Sequence, residues 1–168
     1  SKIIKPDVAV ITNISYAHIK NFKNIKEIAI AKSEIIQNIR ENGYLILNAD
    51  DDFYDFHKKI ALKRKLNIFS FSTKKKNTDI NLSFIKKEKS KYKIYIKINN
   101  VNKYFYLNSC FENDIQNLLA SIGVISIFKN IKKLNSNIFY NHDILNGRGD
   151  VSKIKLFKKS FYLIDQSY

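Results

Sequence analysis

Lys32 is the residue whose position asks for a chemical reason. In the segment from Asn24 to Arg40, apolar side chains at Ile25, Ile28, Ala29, Ile35, Ile36 and Ile39 recur at helical spacing, and Lys32 falls midway between Ile28 and Ile36. That spacing places an amine in the apolar stripe of a helix instead of on its solvated side. Two readings are open. Either the stem packs on the core while the ammonium reaches water, or desolvation favours the neutral amine, which can act as a nucleophile or be covalently modified.

His18 is the second candidate. It follows a strand-like run, in Thr12-Asn13-Ile14-Ser15-Tyr16-Ala17-His18, and loops after the carboxyl ends of parallel strands are where α/β sheets build their sites. A neutral imidazole there is a ready metal ligand, although a lone loop histidine is more often surface decoration. The triple Asp50-Asp51-Asp52 sits after another strand-like run, where it could face a cation or accept the free N–H groups of a following helix; Asp52 is the favoured cap. Arg148, in Asn146-Gly147-Arg148-Gly149, could present a guanidinium to a phosphate with bidentate geometry. The chain contains no GxxxxGKS/T and no GxGxxG, so it carries no phosphate cradle of its own. His57 and His142 lie in surface-like Lys- or Asn-rich stretches, and Cys110 has no flanking motif; all three read as structural or exposed.

The elements that must position these residues follow from periodicity. Asp7 to Ile14 reads as a buried parallel strand. A helix then runs from its cap at Asn24 to Arg40, stopped by Asn42-Gly43. Tyr44 to Asn48 is a strand, Asp52 to Arg64 a helix, and Asn67 to Ser72 a third strand, which is the α/β rhythm. Ile80 to Lys87, Lys91 to Ile98 and Val101 to Leu107 then read as an antiparallel meander, turned at Asn99-Asn100 by residues that tolerate positive φ. Glu112 to Phe128 returns to helical spacing and a short helix is expected from about Ser136 to Leu145. Ser152 to Phe157 and Phe161 to Asp165 close as strands. The expected fold is therefore α/β: a mostly parallel sheet flanked by helices, with an antiparallel β excursion from about Ile80 to Leu107.

Composition bounds the rest. The chain has 168 residues, with 30 Lys+Arg against 15 Asp+Glu and a formal charge of +15, a length suited to one domain or to part of a larger protein. With 45% hydrophobic residues it has material for a core, which excludes a disordered chain despite the charge. A single cysteine rules out zinc-finger and disulfide scaffolds and points to a reducing cytoplasm. The apolar runs are too short to cross a bilayer, so a soluble, cytoplasmic protein without membrane contacts is expected. The chain opens at Ser1 without any Met and stops at Asp165-Gln166-Ser167-Tyr168 directly after a strand-like run, as an excerpt of a longer protein would.

Read in order, several stretches form a constellation: Lys5-Pro6-Asp7-Val8-Ala9-Val10-Ile11-Thr12-Asn13-Ile14, Ala17-His18 with Phe22, Ala31-Lys32-Ser33-Glu34-Ile35, Asn42-Gly43 and Leu47-Asn48-Ala49-Asp50. This constellation resembles the central domain of the Mur ligases. Asn117 with Leu118-Leu119-Ala120, the Gly147-Arg148 pair, and Leu163-Ile164-Asp165-Gln166-Ser167-Tyr168 extend the resemblance over nearly the whole chain. Ala-His, Ala-Lys-x-Glu-Ile and the Ser-Tyr ending are most similar to the branch that joins D-alanyl-D-alanine to UDP-N-acetylmuramoyl-tripeptide (UDP-MurNAc-tripeptide).

The resemblance implies a set of roles. Lys32 would be carbamylated and would hold Mg²⁺ together with His18, and Arg148 would offset phosphate charge. Asn117 would contact the adenine of ATP, Arg148, Asp165 and Gln166 would also serve the nucleotide, and Asn13 and Ser15 would touch the substrate. The implied reaction is ATP-dependent amide bond formation through an acyl phosphate, by a monomer with UDP-MurNAc-tripeptide and D-Ala-D-Ala as substrates and no nucleic-acid partner. Residues 1–168 would be an incomplete ATP-binding central domain reaching the start of a C-terminal domain at about 160–168. The family's phosphate loop and most of its C-terminal domain would lie outside, leaving the excerpt alone inactive. Phe111-Glu112-Asn113-Asp114 departs from the family's Gly-x-His-Asn, and Gln166 stands where the family has an acid. The alternatives are another Mur or folylpolyglutamate-type ligase, or a basic nucleic-acid-binding module built on Lys74-Lys75-Lys76 and the lysines at 86, 87, 89, 91, 93 and 97, interleaved with Tyr92, Tyr95 and Tyr104.

Overall fold

The structure, a computed structural model, describes residues 5–16, 22–140, 150–156 and 159–165. Strand β1 (Val8–Ile11), helix α1 (Ile25–Asn38), β2 (Tyr44–Asn48), α2 (Tyr54–Lys63) and β3 (Asn67–Ser72) alternate as their periodicity predicts. The three strands are parallel, with Val10 opposite Ile46 and Ile46 opposite Phe69. β4 (Ile80–Glu88), β5 (Lys91–Ile98) and β6 (Val101–Leu107) form the expected meander. This antiparallel excursion is continuous with the parallel strands: β4 joins β3 in parallel through Phe71–Ile80 and Ser72–Asn81, giving one six-stranded sheet in the order β1 to β6. β7 (Asp150–Leu156) and β8 (Lys159–Asp165) pair antiparallel as a second, two-stranded sheet.

Side-chain alternation along the strands divides the core in two. On one face Ile46, Phe71, Ile80, Ile94, Ile96 and Phe105 pack against α3 (Glu112–Phe128) through Ile115, Leu118, Leu119 and Ile122. On the other, Leu45 and Leu47 pack against Ile28, Ala29 and Ile36 of α1, its C-cap Ile39 and Ala61 of α2.

Local chemistry sets the ends of the elements. Asn24 caps α1 by accepting the Glu27 N–H at 3.0 Å, and Glu27 in turn accepts the Lys23 N–H at 2.8 Å, a reciprocal arrangement akin to a capping box. Asn42 and Asn99 both adopt positive φ, 58° and 48°, at the turns predicted for them. Three expectations shift. The first strand ends at Ile11, not Ile14, and α1 ends at Asn38, not Arg40. The helix expected from about Ser136 is replaced over residues 136–140 by turns. There the Asn135 side chain accepts the Asn137 N–H at 2.9 Å and the Ser136 carbonyl accepts the Tyr106 N–H at 2.9 Å; the first contact competes with helix and the second lays the segment along β6.

His57, read as structural or exposed, is structural: although its stretch looks surface-like, it lies in the core. It is 1% exposed, and its Nε2 lies 3.1 Å from the Ala29 carbonyl. A carbonyl can only accept, so Nε2 carries the proton and the side chain ties α2 to α1. Burial holds its pKa below the usual 6.5, against the opposing pull of the Ala29 carbonyl and the Asp51 charge, with Lys32 adding to the depression.

Two measurements test these packing arguments. A Cβ on Gly43 would stand 2.5 Å from Ile39 Cγ2 and 2.9 Å from the carbonyl oxygens of both Arg40 and Asp7. Two of these atoms are backbone and cannot rotate away. Gly43→Ala should therefore destabilise the chain by about 1–3 kcal/mol, read as a lower urea midpoint at unchanged slope. For His57, both states are neutral above pH 6.5 and stability is complete. Below it the unfolded chain binds the proton first, so stability falls as pH drops from 6.5 toward the lower folded value. The urea midpoint should fall between pH 7.5 and 5.5, and His57→Gln, which keeps an N–H for Ala29, should flatten that slope; equal slopes would exclude His57 as the cause.

Candidate active site at the carboxyl ends of the parallel strands

Strands β1, β2 and β3 run in one direction, so their exit loops gather at one edge of the sheet, beside the start of α3. β2 organises this edge. Asp51 accepts the Ile14 N–H at 2.6 Å from the β1 loop and the Phe53 N–H at 2.8 Å ahead of α2. Its neighbour Asp50 turns the opposite way, accepting from the Ser72 hydroxyl at 2.5 Å and from the N–H and hydroxyl of Thr73 at 2.7 and 3.0 Å. Burial alone would raise the pKa of Asp50, but the bonds from Ser72, Thr73 and Lys74 outweigh it and leave the carboxyl below its usual 3.8.

The aspartate triple thus resolves into structural roles different from those expected. Asp51, not Asp52, serves the start of α2, whose own N-cap is Phe53 with no side-chain bond. Asp50 and Asp51 are both committed to N–H and O–H donors, which leaves little of either carboxylate for a cation. Among the described residues no group of three or more His, Cys, Asp and Glu is placed to hold a metal ion.

Lys32 is exposed, with its ammonium donating to the Asn13 carbonyl at 2.8 Å. The amine reaches outward from the core, where it is open to solvent and to small reactants. α1 flanks β1, the edge strand of the sheet among the described residues. Among the described residues α1 packs on β1 and α2, and no further element covers its remaining side. A cleft of about 390 Å³ opens there instead, lined by Ile11, Thr12, Lys32, Glu34 and Ile35 with Val10 and Ala31. A cationic amine therefore stands at the mouth of an open cleft, one hydrogen bond from the loop that follows β1.

The remaining candidates fall into two groups. Asn13 is half-buried and Ser15 exposed in that same loop, so the structure brings both to the cleft edge with Lys32. Asn117 is exposed on α3, whose first turn is linked to the exit of β3 by the surface ion pair Lys74–Glu112 at 3.4 Å. Asp165 is the last residue of β8, opposite Asp150. His18, Arg148 and Gln166 lie outside the described residues. Sequence reasoning missed Asp51 as an organiser of the site; the signal that could have found it was its place in the turn after β2, the middle of the three parallel strands.

Comparison with known proteins agrees with this architecture. Residues 1–125 match the family model of the Mur ligase middle domain. The UDP-N-acetylmuramoyl-tripeptide--D-alanyl-D-alanine ligase of Buchnera aphidicola subsp. Baizongia pistaciae is 36% identical over 131 residues, which are 78% of this chain and 28% of that protein. A crystal structure of MurF from Acinetobacter baumannii superposes with a TM-score of 0.81 at 24% identity, covering 99% of this chain and 35% of that one. MurF ligase from Thermotoga maritima in complex with ADP gives 0.74 at 22% identity, with 99% and 36% covered. The chain spans about a third or less of the length of these relatives. With the family model matched across all three parallel strands, the meander and most of α3, the chain belongs to the Mur ligase family.

Proposed function

We propose that this chain is the central, nucleotide-handling part of an ATP-dependent ligase that adds D-Ala-D-Ala to UDP-MurNAc-tripeptide. The observation that carries the reading is Lys32: a Mur-type amine on α1, at the mouth of the cleft beside β1 and 2.8 Å from the Asn13 carbonyl. The printed activity of the Buchnera relative supports the substrates, and the ADP complex of the Thermotoga neighbour supports the nucleotide. In this reading residues 1–168 are an incomplete part of the central domain that reaches the start of a C-terminal domain at about 160–168.

The chemistry follows from charge. In the first step a carboxylate oxygen of the peptide attacks the γ-phosphorus of ATP and ADP leaves. In the second the amine of D-Ala-D-Ala attacks the resulting acyl carbon, losing a proton, and inorganic phosphate departs. Both steps crowd negative charge, so the help a protein gives is electrostatic and positional. Lys32 supplies part of it after modification: the neutral amine adds to CO2 with loss of a proton, giving an anionic carbamate whose oxygens suit a hard cation. That carbamate and His18 would hold Mg²⁺, which offsets phosphate charge when bound. Arg148 adds a fixed positive charge, Asn117 the adenine contact, Asp165 and Gln166 contacts to the ribose, and Asn13 and Ser15 contacts to the peptide substrate. Gln166 can bond a hydroxyl but brings no charge, so its ribose contact is weaker than an acid's.

The complete enzyme tests this. Lys32→Ala should lower ligation by at least about a hundredfold, Lys32→Arg should not restore it, and short-chain carboxylic acids should partly rescue the alanine variant by lending back the lost carboxylate. Undiminished ligation in Lys32→Ala would remove the carbamate from the mechanism.

A further inference from the structure

The meander presents a face that the ligase reading does not use. Ile94, Ile96 and Phe105 point to the α3 side, so alternation sends Lys91, Lys93, Tyr95 and Lys97 of β5 and Tyr104 and Tyr106 of β6 to the opposite one. Beyond a bulge between Leu82 and Phe84, the register places Phe84 opposite Tyr95 and Lys86 opposite Lys93. Tyr104 and Tyr106 complete the two rows across β6. Helices α1 and α2 cover this side of the sheet over β1, β2 and β3. The meander's own stretch is a plane about 10 Å wide and roughly 20 Å long, with Phe84 55% exposed at its edge.

Three properties define a partner. The first is charge: Lys86, Lys91, Lys93 and Lys97 share the face with one carboxylate, Glu88. The second is that Lys86 and Lys93 stand directly opposite each other, a like-charge pairing that costs folding stability and that an anionic surface would relieve. The third is that the rings are already covered. Lys93 Nζ lies 3.9 Å from the Tyr104 centroid, Lys91 Nζ 3.7 Å from that of Tyr106, and Phe84 stacks on Tyr95 at 4.1 Å. Bases cannot stack on faces occupied in this way, which argues against single-stranded nucleic acid. Held flat by the rings, the ammonium groups instead form a rigid positive plane with tyrosines between them and one exposed phenylalanine, a composition suited to the interfacial region of a lipid bilayer.

We propose that the outer face of β4–β6 docks on an anionic lipid surface. The contact is peripheral, since no helix among the described residues is long and apolar enough to cross a membrane.

Co-sedimentation of the 168-residue chain with vesicles tests it. Vesicles of phosphatidylcholine containing 30% phosphatidylglycerol (a proportion of about one anionic lipid in three, enough for a strongly negative surface) should bind the chain, and phosphatidylcholine alone should not. Binding should fall steeply with salt. Lys91→Glu/Lys93→Glu should lower the partition coefficient by about a hundredfold, whereas Lys129→Glu/Lys133→Glu, of equal net charge but beyond α3, should retain most of it. Phe84→Ser, at a site 55% exposed, should weaken binding at fixed charge. Absence of binding to the anionic vesicles, equal loss in both double variants, or binding of a single-stranded oligonucleotide in place of the vesicles would each overturn the proposal.

Discussion

Two adjacent carboxylates at the exit of β2 carry the arrangement of the site. The chain turns directly after β2, and within that turn the two side chains diverge, Asp51 toward the loop after β1 and Asp50 toward the loop after β3. Each accepts backbone N–H groups that no ladder satisfies, and a charged acceptor makes such bonds strong. The three exits are therefore referenced to one another through a single pair of residues. Lys32 inherits that reference, because the carbonyl it meets belongs to Asn13, next to the Ile14 N–H that Asp51 holds.

The helices behind this edge are joined by a different device. His57 gives α2 a buried N–H with which to reach the backbone of α1 at Ala29, one turn before Lys32. Apolar packing between the helices sets their distance but leaves their axial position soft, since dispersion has no direction. One hydrogen bond inside that contact fixes the axial position.

Much of the fold was legible because its strands and helices obey their periods. The bounds of β2, β3, β5, β6 and α3 follow directly from runs such as YLILN and KYKIYIKI. What escaped was set by tertiary context. The exposure of Lys32 is set by what packs on α1, which no local pattern reveals. His57 looks solvated between Phe56 and Lys58 and is buried only because α1 lies over it. Local pattern favours Asp52 as a helix cap because caps are local, whereas the bonds of Asp50 and Asp51 that join the loops reach residues 22 to 37 positions away in the chain. The resemblance to the Mur ligases was legible for a different reason: it rests on short motifs read in order along the chain and not on the period of any element.

The seam between β3 and β4 has a consequence for how the sheet comes together. Only two register pairs join them, at Phe71–Ile80 and Ser72–Asn81, while the meander beyond is built from neighbours in sequence joined by tight turns at Lys89 and Asn99. Short loops close at small entropic cost, and the crossover pairings of β1, β2 and β3 each enclose a helix and a longer loop. The six strands are thus one sheet in space but two units in assembly: a hairpin stack able to form early, and a parallel half whose ladder waits on α1 and α2. Amide protons of the two halves would then exchange with solvent as separate groups, divided at the seam.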